Sequence, residues 1–220
     1  ADVRIDATER VRAWTYNGTV PGPLIRAKLG DRLIVHFTNH LPANTTVHWH
    51  GLRVPNAMDG VPEHTQPAVA SGRSFTYDFV LRDAGLFWYH PHVMSAAQVG
   101  FGLYGALLVD DPADGLRTLD EAVFVLSDIS IMDGELESPT SGGDLASTFG
   151  REGTRVLVNG RPDASLFVRD GAPQRWRIVN AAKSRYFLLD LEGEPFLVIG
   201  GDGGLQERTE RRDSLVLAPG

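Results

Sequence analysis

The sequence has no cysteine. That excludes a disulfide scaffold, a thiolate metal site and a cysteine nucleophile within these 220 residues. Long hydrophobic runs are missing too, and no apolar stretch approaches the roughly 20 residues that a membrane helix needs. Positive charge is in deficit: 21 Lys and Arg stand against 28 Asp and Glu, a net charge of −7. With no basic stripe, neither nucleic acid nor membrane insertion is expected. The opening ADVRIDATER lacks the charged and apolar regions of a signal peptide, which predicts a cytosolic or already processed chain. What is abundant is Gly (24) and Pro (13), in a chain that is 42% hydrophobic and 22% charged. Those proportions belong to a globular protein with a core of its own.

The apolar runs are short, alternating and rich in β-branched or aromatic residues. They fall at 32–38, 73–80, 86–90, 103–109, 122–128, 174–180, 185–191 and 214–218. Gly, Pro, Asn and Asp punctuate them, so the pattern predicts an all-β, antiparallel sandwich or barrel. One short helix or turn is expected around Ser95–Val99. Residues 110–120 read as a linker near the midpoint, and 137–148 as an exposed loop.

The two halves resemble each other. NGTVPGPLIRAKLGDRLIVHFTN begins at Asn17, and NGRPDASLFVRDGAPQRWRIVN begins at Asn159. Gly30 to Asn39 and Gly171 to Asn180 both span nine positions. A duplicated β unit of about 110 residues explains the match, with units at 1–112 and 113–220. His48 and His50 follow Asn39 at distances where Leu189 and Leu191 follow Asn180. One copy therefore carries chemistry and the other is expected to be scaffold.

His48-Trp49-His50 and His90-Pro91-His92 are two H-x-H pairs, each ending or following a strand-like run. In a strand, residues i and i+2 share a face, about 6.6 Å apart along the chain. Two such pairs on neighbouring strands would bring four imidazoles together, a donor set that suits copper, zinc, iron or nickel. His36, His40 and His64 read as strand, strand-end and loop residues without a ligand role. Asp59, in the VPNAMDGVP loop, is a candidate for moving protons or orienting a ligand histidine. The competing reading is a turn residue, because Asp202-Gly203 repeats the dipeptide in the half that lacks histidine. Trp49 points away from its flanking histidines and reads as packing. Met58, Met94 and Met132 are too dispersed for a cuprous-ion tract.

The segments carrying these features resemble a known family. WTYNGTVPGPLIRAKLGDRLIVHFTNHLP, TTVHWHGL, the MDG loop, GLFWYHPHV and QVGFGLYGALLVDDP are similar to the first cupredoxin domain of multicopper oxidases. VLVNGRPDASLFV, RWRIVNAA, IGGDGG and LVLAPG are similar to the second domain of three-domain, laccase-like members. The resemblance implies tandem cupredoxin-like Greek-key sandwich or barrel domains. It implies type 2 copper on His48, the type 3 pair on His50, His90 and His92, and proton delivery by Asp59. The implied activity is one-electron oxidation of phenolic or aromatic donors, or cuprous ion, coupled to four-electron reduction of O2 to water. The type 1 copper and the remaining trinuclear ligands would lie on a C-terminal segment, expected as a separate chain. Family habit implies a periplasmic or secreted protein. An all-β zinc lyase of the carbonic anhydrase kind and a non-catalytic cupredoxin-like scaffold are the alternatives. The two histidine pairs argue against both, and the duplication argues against the lyase.

Overall fold

Alternation along the apolar runs becomes strand structure nearly run for run. The computed structural model describes residues 1–138, 141–202 and 204–220. Pro139 and Thr140, in the segment expected to be a loop, and Gly203 of the second Asp-Gly turn lie outside the described residues. The first half holds β1 (Asp2–Arg4), β2 (Arg10–Arg12), β3 (Gly22–Lys28), β4 (Arg32–Thr38), β5 (His48–His50), β6 (Ser74–Val80), β7 (Gly85–His90) and β8 (Gly105–Asp110). The second holds β9 (Asp120–Ile129), β10 (Ile131–Met132), β11 (Glu135–Leu136), β12 (Arg155–Val158), β13 (Gln174–Asn180), β14 (Phe187–Asp190), β15 (Phe196–Gly201), β16 (Gly204–Arg212) and β17 (Ser214–Leu217). Helix α1 covers Ser95–Gly100, where a helix or turn was expected, and α2 covers Asp144–Phe149.

Two expectations need correction. The sheets are not antiparallel throughout, since β3 pairs with β8, and β9 with β13, in parallel. The chain between the members of each pair serves as the crossover that parallel strands require. The segment 137–148 is not wholly loop, because α2 forms there. Six residues are too few to set a helical period, and Leu145 and Phe149 both face solvent. The linker expected at 110–120 does connect β8 to β9, and it is anchored. Asp114 is buried and bound to Arg175, tying this connection to β13.

The duplication has matching local geometry. Asn17-Gly18 and Asn159-Gly160 both have positive φ (51° and 83°, 52° and 78°), the backbone of a type I′ turn. Asn39 and Asn180 are both buried at strand ends and act as matching clamps. Asn39 Nδ2 donates to the carbonyls of Ala43 and Val69 (both 2.8 Å), and its Oδ1 accepts from Leu41 N–H. Asn180 Nδ2 donates to the carbonyls of Arg185 (2.8 Å) and Leu217 (3.0 Å), and its Oδ1 accepts from Ala182 N–H.

Packing divides into three clusters. One lies in the first half around Trp49, Tyr77, Phe79 and Leu107. A smaller one lies in the second half around Leu126, Ala182 and Phe187. The third is shared, joining Ile5, Val11, Trp88 and Tyr104 to Val125, Ile129, Leu157 and Val179. A common apolar core of this kind holds the halves against each other over one edge of the histidine strands.

Candidate metal centre

Sheet β3-β8-β7-β5 builds the centre. Strands β5 and β7 pair antiparallel with His48 opposite His90, Trp49 opposite Tyr89 and His50 opposite Trp88. Trp49 turns into the core, 1% exposed, and the period of two turns both flanking imidazoles to the other face. Pro91 ends β7, and His92 follows it to the same side. Ring centroids of His48 lie 5.7, 5.3 and 4.4 Å from those of His50, His90 and His92. All four predicted imidazoles are thus brought together. His36, His40 and His64 are exposed, and His36 contacts Thr76 on the β4–β6 sheet.

The free nitrogens can be assigned from their partners. His48 Nδ1 donates to the Asp59 carbonyl oxygen at 2.7 Å, which leaves Nε2 as the ring nitrogen facing the centre. His90 Nδ1 likewise donates to the Pro91 carbonyl at 3.1 Å, and its Nε2 lies 3.1 Å from His50 Nδ1. Candidate donor atoms of His48, His50 and His90 lie within 4.8 Å of one another. Metal–imidazole bonds of about 2.0–2.1 Å span at most ~4.2 Å across one ion, so these nitrogens lie near the spacing that metal binding needs. Burial favours the neutral form of His50, His90 and His92, helped by mutual proximity. It pushes His90 down to about 3 and lowers His50 and His92 as well. Neutral nitrogen donors fit copper or zinc and give Mg2+ or Ca2+ nothing to favour.

Asp59 sits at the end of a 3-10 turn (Asn56–Met58), with its carboxylate Oδ1 3.2 Å from His48 Nδ1. Gly60 makes that approach possible. At φ +75°, a Cβ there would sit 2.0 Å from the Val47 carbonyl oxygen, so the loop backbone packs directly on the strand carrying His48.

Sequence reasoning missed the residues that hold the centre in place. Tyr77 Oη accepts from Val47 N–H at 2.8 Å, and Thr46 Oγ1 accepts from His92 N–H at 3.2 Å. Gln98 of α1, buried, accepts from Thr45 Oγ1 at 2.7 Å and donates to the Asn44 carbonyl at 2.9 Å. Ser95 Oγ donates to the Pro91 carbonyl at 2.7 Å. Their only sequence signal is a polar group inside an otherwise apolar pattern. Trp88 was also passed over, and its ring lies 4.1 Å from that of His90 and 5.1 Å from that of His50.

Comparison with known proteins agrees with this architecture. Residues 1–114 match the family profile described as multicopper oxidase. The chain belongs to the multicopper oxidase family. It is 37% identical to the multicopper oxidase MmcO of Mycobacterium tuberculosis, a match covering 88% of this chain and 43% of that protein. It is 35% identical to laccase-1 of Botryotinia fuckeliana, over 85% of this chain and 34% of that protein. Among solved structures, a multicopper oxidase from Pseudomonas thermotolerans superposes with a TM-score of 0.86 at 34% identity. The match covers all of this chain and 56% of that one. A metallo-oxidase from Campylobacter jejuni gives 0.86 at 32% identity, covering 46% of its chain. The fold is therefore all-β and cupredoxin-like in tandem, and the chain spans less than half the length of the two curated relatives.

Proposed function

We propose that this chain supplies half of the oxygen-reducing centre of a laccase-like multicopper oxidase. The observation that carries the proposal is the convergence of four imidazoles from two H-x-H pairs on paired strands. In the net reaction, four one-electron oxidations of donor deliver four electrons to O2, which takes up four protons and becomes two waters. Copper, when bound, supplies the one-electron chemistry and the affinity for O2. His48 Nε2 would face the type 2 ion, and His50, His90 and His92 would face the type 3 pair. The Asp59 carboxylate, beside His48, would hold and release a proton at Oδ1. The two units are residues 1–112 and 113–220, and the second is free of copper ligands.

The remaining ligands and the type 1 copper are assigned to a C-terminal segment of the same oxidase, which is the expected partner. Donor specificity resides with that segment. Phenols, aromatic amines and cuprous ion all remain in the donor class, as relatives named laccase and metallo-oxidase suggest. A periplasmic or secreted location accords with this chemistry, and no helix among the described residues is long and apolar enough to cross a membrane.

Metal analysis combined with intact mass and oxygen uptake tests the proposal. About four coppers per particle, a heavier cysteine-bearing polypeptide and donor-dependent O2 consumption are expected. One zinc with CO2 hydration, or no metal at all, would rule the oxidase out.

A further inference from the structure

Strand β16 (Gly204–Arg212) is exposed along nearly its whole length and is held on one side only. It pairs antiparallel with β15 in a two-stranded sheet, and no third strand among the described residues pairs with its other edge. A long free edge offers a row of backbone N–H and C=O groups to another strand. Leu197 on β15 and Leu205 on β16 are uncovered as well, 65% and 59% exposed.

The charges along this edge choose the strand that fits it. They run Glu207-Arg208-Thr209-Glu210-Arg211, both signs in one short stretch, and that order matches its own antiparallel image. With Thr209 set opposite Thr209 of a second copy, Glu207 falls opposite Arg211 and Arg208 opposite Glu210. The two-fold axis makes each of these pairs occur twice. Residues opposite each other in an antiparallel ladder share a face, and opposite charges there attract while like charges repel. Moving the axis by half a residue puts Glu207 opposite Glu210, or Arg208 opposite Arg211. The register about Thr209 is therefore favoured over its neighbours. Arg212 bonds Glu210 on the same strand, but Glu207, Arg208 and Arg211 have no hydrogen-bond or ion-pair partner among the described residues.

We propose that β16 is a homodimer interface: two copies of this chain join edge to edge, antiparallel about Thr209, into one four-stranded sheet of order β15-β16-β16-β15. Backbone hydrogen bonds across the new ladder supply the affinity, and the alternating charges fix the register and reject other edges. No histidine belongs to β15 or β16, so the dimer forms with or without metal.

Sedimentation equilibrium of the 220-residue chain tests it. The parent should show a concentration-dependent monomer–dimer equilibrium. Glu207→Arg and Arg211→Glu each put like charges into both symmetric copies of one pair, and each should weaken the dimer about tenfold or more. The double variant carrying both exchanges restores opposite charges and should return to within about twofold of the parent. All these side chains are exposed, so circular dichroism should not change. Because the chain has no cysteine, Thr209→Cys places the only thiols on the axis, where oxidation should link the two copies. Gln206→Cys, opposite Arg212 in this register, should stay unlinked. A parent that remains monomeric up to about 1 mM overturns the proposal. So does a dimer that the double exchange fails to restore, or one in which Gln206→Cys links and Thr209→Cys does not.

Discussion

His48 is fastened by a backbone atom, and that separates two residues adjacent in sequence. The Asp59 carbonyl holds Nδ1 at 2.7 Å, so the side chain of Asp59 is not needed to orient the ring. Asp59→Ala should keep full copper content while oxygen uptake falls about a hundredfold, the scale of a lost proton donor. Gly60→Ala should do the reverse. A methyl 2.0 Å from the Val47 oxygen forces the loop off the strand, costing about 2 kcal/mol of stability and lowering copper per chain. Metal analysis and oxygen-electrode rates on the two variants separate these outcomes. His50→Ala removes a proposed ligand, whose Nδ1 lies 3.1 Å from His90 Nε2, and should abolish O2 reduction. The blue colour of the type 1 copper should survive in the partner segment, and loss of that absorption would refute the partition of sites.

Among the elements, the matching clamps at the ends of β4 and β13 make a controlled comparison. Each asparagine satisfies two carbonyls and one amide inside the protein, so replacement by alanine leaves buried groups unpaired. Asn39→Ala and Asn180→Ala should each lower unfolding free energy by about 2–3 kcal/mol in denaturant titrations. Only Asn39→Ala should also weaken metal binding, because the segment it anchors leads into His48. The equal Gly-to-Asn spacing made this repetition legible before any coordinates. Strand β16 was not legible, since GLQERTERR has no apolar alternation. Pairing with β15 makes it a strand, with Leu197 opposite Arg211 and Val198 opposite Glu210.

Across the whole molecule, charge ties the halves together. Arg26 on β3 bonds Asp110 at 2.7 Å and Glu121 on β9 at 3.3 Å. Arg177 bonds Glu121 at 2.6 Å, and Arg175 holds Asp114 in the buried connection. Burial alone would raise the Asp114 carboxyl, but hydrogen bonds from Arg175 and Leu116 N–H and the charges of Arg175 and Arg177 outweigh it and hold it below the usual range. A depressed carboxylate stabilises the fold fully above the unfolded-state pKa of about 3.9, and that contribution is lost as pH falls through the folded value. Acid unfolding followed by circular dichroism should therefore show a stability loss below about pH 4. In Asp114→Asn that step should shrink, and stability at pH 7 should fall by about 3 kcal/mol because Arg175 is left buried without its partner.

The sequence by itself determined the β class, the duplication and the four histidines, because each depends on short-range spacing. Alternation sets which face a side chain takes, and H-x-H sets two donors on one face. Only the tertiary structure decided that β5 lies against β7, that a loop carbonyl selects the tautomer of His48, and that Gln98, Thr46 and Tyr77 brace the strands. Those contacts join residues far apart in the chain, and their geometry follows from strand pairing and core packing, which no local pattern encodes.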